Sequence, residues 1–375
     1  MGLVTKTRFA MNPILLKNQT ADALRAALAP LGVSLRLARQ LQPAALRRGE
    51  IPAELPATST RLLTAVRGAA SVPHLVQLER IISPTDGFAK YVFRGAGDGT
   101  FEAVRIPLLH RADAPRYVVC VSSQIGCALE CAFCATGRMG FQRNLAAWEI
   151  VDQVVQVQAD SPHPVRGVVF MGMGEPLLNC DAVFTAARIF SEPCGLAISA
   201  KAITISTAGI LPGIERLIAE RLPCRLIVSL ASADPLRRAE LMPVERLHPT
   251  PRLFDALRAY HAATGERVTL AWILLAGINT RPEDAAQLAS LTRGLPVKID
   301  LIDVNDATGR FHPPTDAERN ALRDALRAHL SAPVARRYSG GRDIAAACGM
   351  LAGEPSPVNR GSPTPCHPQR ERTCG

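Results

Sequence analysis

Three cysteines in one short run, Cys127-Ala-Leu-Glu-Cys131-Ala-Phe-Cys134, follow directly on the β-branched run RYVVCVS. Spacings of four and three residues put three thiolates on one tight loop, close enough to hold three corners of an iron–sulfur cubane. Four-iron clusters ordinarily take four cysteines, so three leave one iron open to an outside ligand. An open coordination position is what metal catalysis requires, whereas structural sites are closed. Zinc is the competing reading. It needs four ligands, and Cys120 would have to be the fourth, at a spacing unlike common zinc ribbons.

A second group of residues stands at the ends of apolar runs. Gly172-Met-Gly174-Glu175-Pro176 follows RGVVFM. A glycine turn at a strand's C-terminal end lets a ligand approach the backbone, and Glu175 can accept a hydrogen bond from an ammonium group. An ordinary β/α turn has the same composition. Ser206 ends the run AITIST, Ser229-Leu230 ends CRLIVSL, and Asn305 follows KIDLI. Cys348 alone reads as a buried packing cysteine, and Glu102 in FEAVRIP as a solvent-facing strand carboxylate. Cys180, Cys194 and Cys224 have no partner at ligand spacing and read as core or surface cysteines. Arg138, Arg143, Arg336 and Arg337 suit phosphates and solvated faces equally.

Such residues need a scaffold that gathers strand ends. The 375 residues suffice for one large domain and a smaller one. From Arg116 onward, short apolar runs alternate with helical patterns: RYVVCVS, RGVVFM, AITIST, CRLIVSL, RVTLAWILL and KIDLI are the strand candidates. Runs without polar alternation imply burial on both faces, hence a parallel sheet covered by helices. Six such units predict an α/β fold, a partial (β/α) barrel working at the C-terminal ends of its strands; a full eight-stranded barrel is the alternative. Residues 1–100 read as a small N-terminal α+β accessory domain that could contact RNA. It has amphipathic helices in ADALRAALAPL and ARQLQPAALRRG, and strands turning at Asp86-Gly87 and Gly95–Gly99. Residues 101–353 form the catalytic domain. Residues 354–375, dense in Pro, Ser and Arg, read as a disordered tail with Cys366, His367 and Cys374 as passengers.

Composition sets the partners. The net charge of +10 favours a polyanion, although a basic proteome gives the same sum. Aromatic residues are 5%, so few side chains are available to stack on bases. No apolar run approaches the roughly 20 residues needed to span a bilayer, and the start lacks a signal peptide. The expected location is the cytoplasm, where ten cysteines serve as ligands, nucleophiles or packing rather than structural disulfides.

The cysteine loop resembles the signature of the radical S-adenosylmethionine (SAM) superfamily. Its flanks, Cys120-Val-Ser-Ser-Gln-Ile-Gly-Cys127 and Ala135-Thr-Gly-Arg-Met-Gly-Phe-Gln-Arg-Asn-Leu145, resemble RNA adenine methyltransferases of the RlmN/Cfr type. So do Met171-Gly-Met-Gly-Glu-Pro-Leu-Leu-Asn179, Ile205-Ser-Thr-Ala-Gly209 and Ala346-Ala-Cys348-Gly-Met-Leu-Ala-Gly353, in order along the chain. The chain is identified as a divergent member: Ala231 stands where histidine is usual, and Asp303-Val-Asn-Asp306 and Ser339-Gly-Gly-Arg-Asp343 depart from the common loops.

The resemblance implies a [4Fe-4S] cluster on Cys127, Cys131 and Cys134, and SAM consumed twice per turnover. Gly174 and Glu175 would meet the methionyl end of SAM, Ser206, Ser229 and Leu230 its ribose and carboxylate, and Asn305 its adenine. Adenine C2 and C8 are electron-poor sp2 carbons without a lone pair, so polar methyl transfer to them is implausible. The family first methylates Cys348, then abstracts hydrogen from that methyl group through a 5′-deoxyadenosyl radical, and adds the methylene radical to the ring. Glu102 would take the ring proton. Cys120 would release the product by forming a transient disulfide with Cys348. The implied substrate is rRNA or tRNA, the reductant a flavodoxin or ferredoxin, and the enzyme a monomer without a membrane partner. Two alternatives stand beside this: a radical-SAM enzyme acting on a non-RNA substrate, which would not need both Cys120 and Cys348, and a zinc-stabilised RNA-binding protein.

Overall fold

A computed structural model of the chain describes residues 12–108 and 114–352. The tail expected from 354 onward, with Cys366, His367 and Cys374, lies outside the described residues.

Hydroxyl caps open the first helices. Strand β1 (Ile14–Leu15) precedes α1 (Ala21–Ala27), α2 (Leu35–Arg47) and α3 (Thr60–Ala69). Thr20, Ser34 and Ser59 each accept the backbone N–H three residues on, which satisfies a donor that has no partner inside the helix. Strand β2 (Ala70–Ser71) pairs in parallel with β1. These elements bury their own apolar cluster, in which Leu24, Leu41, Leu63 and Val66 are wholly covered.

Strands β3 (Val76–Ile82), β4 (Ala89–Arg94), β5 (Thr100–Leu108) and β6 (Arg116–Cys120) then run antiparallel. A separate hairpin, β7 (Gln124–Gly126) and β8 (Phe141–Asn144), carries the short helix α4 (Ala135–Arg138) in its loop. Beyond it the chain alternates. Helix α5 (Ala147–Ala159) leads to β9 (Val165–Phe170), α6 (Cys180–Ser191) to β10 (Ile203–Thr207), and α7 (Leu211–Ala219) to β11 (Arg225–Leu230). Helices α8 (Pro235–Leu241) and α9 (Thr250–Thr264) lead to β12 (Val268–Leu274), α10 (Pro282–Leu291) to β13 (Val297–Asp303), and α11 (Asp316–His329) to β14 (Val334–Arg336).

Strands β6, β9, β10, β11, β12, β13 and β14 lie side by side in sequence order, every pair parallel. This one-way winding is that of a partial (β/α) barrel. The sheet runs from edge β14 to edge β3, with no ladder joining those edges among the described residues. The six parallel runs read from the sequence gain a seventh in β14, whose three residues are too few to show as an apolar run. Ile205, Val228, Leu270 and Ile299 are wholly buried in the main core. Alternate positions face the other way, where Ile227, Ala271 and Ile302 form a small cluster of their own. The β4–β5–β6 ladder crosses residue 100, so the strands read with the N-terminal helices are continuous with the catalytic sheet.

The N-terminal helices are tied to this sheet through α5 and the end of α6. Asn18 Oδ1 accepts from Trp148 N at 2.6 Å, capping α5, and Glu192 Oε1 accepts from Ala21 N at 3.0 Å. Lys17 Nζ meets Asp152 Oδ1 at 2.5 Å, both side chains wholly buried. Asp152 also accepts from Leu75 N at 2.7 Å and Gln156 Nε2 at 2.8 Å. Removing one half of a buried pair strands the other charge in a dry site, at a cost of about 3–5 kcal/mol. Lys17→Met is therefore expected to lower unfolding stability by about that amount in a urea titration. A loss below about 1 kcal/mol, the range of an exposed pair, would show that Asp152 is not held in a dry site.

Candidate active site

The register of β7 against β8 pairs Gln124 with Asn144 and Gly126 with Phe141, so residues 127–140 leave the hairpin and return to it as one closed loop. Gly126 has φ +71°, and a Cβ there would lie 1.7 Å from Gly140 O, so a side chain is excluded. Inside the loop Cys127 N donates to Gly140 O at 3.0 Å and Cys134 N to Cys131 O at 3.1 Å. From outside, Leu241 O receives Ala132 N at 2.9 Å. Cys127, Cys131 and Cys134 thereby line one cavity of about 170 Å³. Burial pushes the Cys127 thiol up to about 12 and raises that of Cys131 as well. Such thiols become good ligands only when a metal replaces the proton. Arg238, wholly buried and ion-paired with Glu245, pulls Cys131 the other way.

Among the described residues no three His, Cys, Asp or Glu side chains converge on one point as ligands of a single ion do. A zinc site needs that convergence. A cubane does not, because each thiolate binds a different iron. Cys120, the fourth ligand that zinc would have needed, does not line the cavity.

The glycine turn closes the next wall. Gly174 has φ +94°, and a Cβ on it would lie 2.4 Å from Gln124 Cβ. Gln124 Oε1 accepts from Glu175 N at 2.8 Å, and its Nε2 donates to Asn144 Oδ1 at 2.8 Å, which locks the turn to the hairpin. Glu175 lines the cavity and accepts from Leu177 N at 3.0 Å and Ala208 N at 2.8 Å. It has no ion-pair partner among the described residues, and burial pushes it up to about 7. A buried carboxylate facing a cavity without a cation is chemically suited to an ammonium group. Ser206 and Ser229 line the same cavity from β10 and β11. Leu230 does not: strand alternation turns its side chain into the main core, leaving only its backbone for a ligand.

Cys348 and Asn305 complete the lining. Ser339 Oγ accepts from Cys348 N at 3.0 Å and from Asn305 Nδ2 at 3.1 Å, and Asn305 Nδ2 also reaches Cys348 O at 3.3 Å. Further along, Ala135 N donates to Gly349 O at 2.8 Å and Thr136 Oγ1 to Leu351 O at 2.7 Å. The segment carrying Cys348 is thus laid across the residues that follow Cys134. It ends on Glu102, whose Oε2 accepts from Ala352 N at 2.9 Å.

Cys120 and Glu102 stand behind this wall. Both Cys120 and Cys348 are free thiols. Burial pushes Cys120 up to about 12; the Cys348 sulfur adds to the push and Arg337 opposes it. Glu102 is not the solvent-facing carboxylate that its strand pattern also allowed. It is 1% exposed, with Lys90 Nζ 3.1 Å from Oε1 and the backbone of Ala352 on Oε2. Three of the four arginines suited to phosphates are already paired: Arg138 with Asp306 at 3.4 Å, Arg143 with Glu149 at 2.8 Å, and Arg336 with Asp303 at 2.8 Å. Cys180 and Cys224 are buried, and Cys194 is half-buried against Gln42.

Sequence reasoning missed several supports. Ser122 Oγ donates to Glu102 O at 2.5 Å and accepts from Met173 N at 2.8 Å, and Gln153 Oε1 accepts from Ser122 N at 2.8 Å. Ser122 lay in plain view in the run between Cys120 and Cys127. Lys90 and Gln153 carry no spacing signal, since only the folded sheet brings them near.

Residues 121–289 match the radical SAM superfamily. The chain is 46% identical to the "Probable RNA methyltransferase" of Myxococcus xanthus over 90% of its length and 94% of that protein's. It is 47% identical to the "Dual-specificity RNA methyltransferase RlmN" of Syntrophobacter fumaroxidans, covering 72% of this chain and 78% of that one. A crystal structure of a radical SAM methyltransferase from Sphaerobacter thermophilus superposes with a TM-score of 0.82 at 34% identity, covering 91% of this chain and all of that one. The superfamily's cofactors are a [4Fe-4S] cluster and SAM, and the cavity suits both: three thiols for the cluster, an unpaired buried carboxylate for the ammonium. The alternatives of a zinc-stabilised binding protein and of a radical-SAM enzyme for another substrate give way: the chain belongs to the radical SAM family of RNA methyltransferases.

Proposed function

We propose that this enzyme methylates a ring carbon of adenosine, C2 in the first instance and C8 as the alternative, in rRNA or tRNA, with Cys348 carrying the methyl group. The observation that supports this is Cys348 lining the cavity that also holds Cys127, Cys131, Cys134 and Glu175. When bound there, the cluster supplies the electron that splits the SAM sulfonium and so starts radical chemistry.

The chain's own residues hold and move the rest. Cys127, Cys131 and Cys134 bind the cluster; Gly174, Glu175, Ser206, Ser229, the Leu230 backbone and Asn305 orient SAM. Cys348 presents its methyl thioether to the cavity, fixed by Ser339 and Asn305. Glu102, its charge balanced by Lys90, accepts the ring proton. The Cys120 thiolate attacks the Cys348 sulfur; the S–CH2 bond breaks, its electron pair passes to the ring-bound carbon, which takes up a proton to become the methyl group, and a transient disulfide is left between the two cysteines. A flavodoxin or ferredoxin would supply the reducing electrons to the cluster that Cys127, Cys131 and Cys134 would hold, the N-terminal helices serve as the accessory unit, and the enzyme works as a cytoplasmic monomer. Among the described residues no helix is long and apolar enough to cross a membrane.

The test is nucleoside mass spectrometry of rRNA and tRNA from a strain lacking the protein and from its parent. A C-methyladenosine should vanish from the deletion strain and return on complementation. An unchanged methyladenosine profile would refute the assignment, and the chromatographic identity of the lost nucleoside separates C2 from C8.

A further inference from the structure

Most of the aromatic side chains are interior, but two large rings stand exposed among the described residues: Phe141 and Tyr338, the latter 69% exposed. They differ in how they are held. Phe141 has no polar handle, whereas the Tyr338 hydroxyl donates to Asp86 Oδ2 at 2.9 Å. The Tyr338 ring also stands edge-on to Phe88, with centroids 6.1 Å apart and planes at 71°. The same Asp86 oxygen accepts from Gly341 N at 2.8 Å. Gly340 lets this loop lie directly on the β3–β4 turn, because a Cβ there would come within 2.4 Å of the Phe88 ring. An exposed ring with this much support is fixed before any partner arrives, so little ordering cost is left for binding.

Its position is specific. Tyr338 follows Arg336 and Arg337 at the C-terminal end of β14 and immediately precedes Ser339, whose Oγ receives Cys348 N. The ring therefore stands on the segment that fixes the thiol at the cavity. Arg342 brings positive charge close to Tyr338, and the two local carboxylates are engaged inward: Asp86 as above, Asp343 by the hydroxyls of Ser83 and Thr85. An exposed aromatic face with an arginine beside it suits a nucleobase with its phosphate.

We propose that Tyr338 is a stacking platform for a base that neighbours the target adenosine, holding the RNA so that the reacting base enters the cavity beside Cys348. This rests on the RNA reading above and deepens it. Base–aromatic stacking removed by alanine typically weakens binding about 5- to 100-fold. The experiment uses reconstituted full-length enzyme and a hairpin transcript that it methylates, with the bases flanking the target made abasic one at a time. Tyr338→Ala should raise the KM for intact RNA by about 5- to 100-fold while kcat changes less than about threefold. Tyr338→Trp should restore most of the affinity, and one abasic position should raise the wild-type KM by a similar factor yet cost the alanine variant almost nothing. An unchanged KM in Tyr338→Ala overturns the proposal, and so do losses from ring and base that simply multiply. If Tyr338→Ala holds no iron, Tyr338→Phe and Tyr338→Leu replace it: the phenylalanine variant should bind RNA more tightly than the leucine one, and equal KM values overturn the proposal. Failure of the wild-type enzyme to methylate any RNA would instead sink the functional reading, and this inference with it.

Discussion

Replacing Cys348 with alanine is expected to leave the iron–sulfur cluster in place and to abolish methyl transfer to RNA, by at least about a thousandfold, or some 4 kcal/mol of barrier. The reason lies in how the segment is held. The hydrogen bonds that tie it to the cavity wall run through backbone atoms of its own residues: Cys348 N and O, Gly349 O, Leu351 O and Ala352 N. Removing one sulfur breaks none of them, so the wall of the cavity survives. Only the atom that carries the methyl group in the proposed route is lost, and an electron-poor ring carbon would offer no polar route around it. The measurement is iron content and absorption near about 400 nm, together with transfer of labelled methyl from SAM to RNA. Retained transfer would refute the thioether route. Loss of iron along with activity would make Cys348 a cluster ligand instead of a methyl carrier.

The cavity was legible to the extent that its chemistry sits in runs. Cys127, Cys131 and Cys134 share one loop, and Gly174-Glu175 is a turn after a strand, so local spacing revealed both. The parallel strands also announced themselves, because residues such as Val168, Ile205 and Val228 are covered on the sheet and must be apolar. What the sequence hid is what the sheet alone creates. Glu102 looks like an exposed strand carboxylate until β5 is placed between two neighbours and Lys90 arrives from the adjoining strand. Alternation turns the Leu230 side chain away from that of Ser229, so only its backbone is left to face a ligand, which the run CRLIVSL does not reveal. Ser339 was visible only as a departure from a common loop; its role appears once Cys348 N is seen to donate to it. The tie between the N-terminal helices and α5 rests on Lys17, Asn18 and Asp152, residues with no pattern linking them before folding.

Cys120→Ala is expected to stop the reaction one step later than Cys348→Ala, and so to accumulate a covalent protein–RNA adduct. Once a bond joins the Cys348 methylene to the ring, release needs a second sulfur to take over Cys348. Cys120 is the free thiol whose electrostatic environment already includes Cys348. Without it the adduct has no exit, and a band carrying both protein and RNA should persist on a denaturing gel. Active preparations with no such band would remove Cys120 from the role. The wild-type enzyme adds a check of sign. Burial raises Cys120 to about 12, so near neutrality it is a thiol, and the reactive thiolate is a minor species. Below that value the thiolate fraction grows tenfold with each pH unit, so release of preformed adduct should quicken roughly tenfold per unit between about pH 7 and 9. A flat profile would show that forming the Cys120 thiolate does not limit release, and would overturn the link between its burial and the rate.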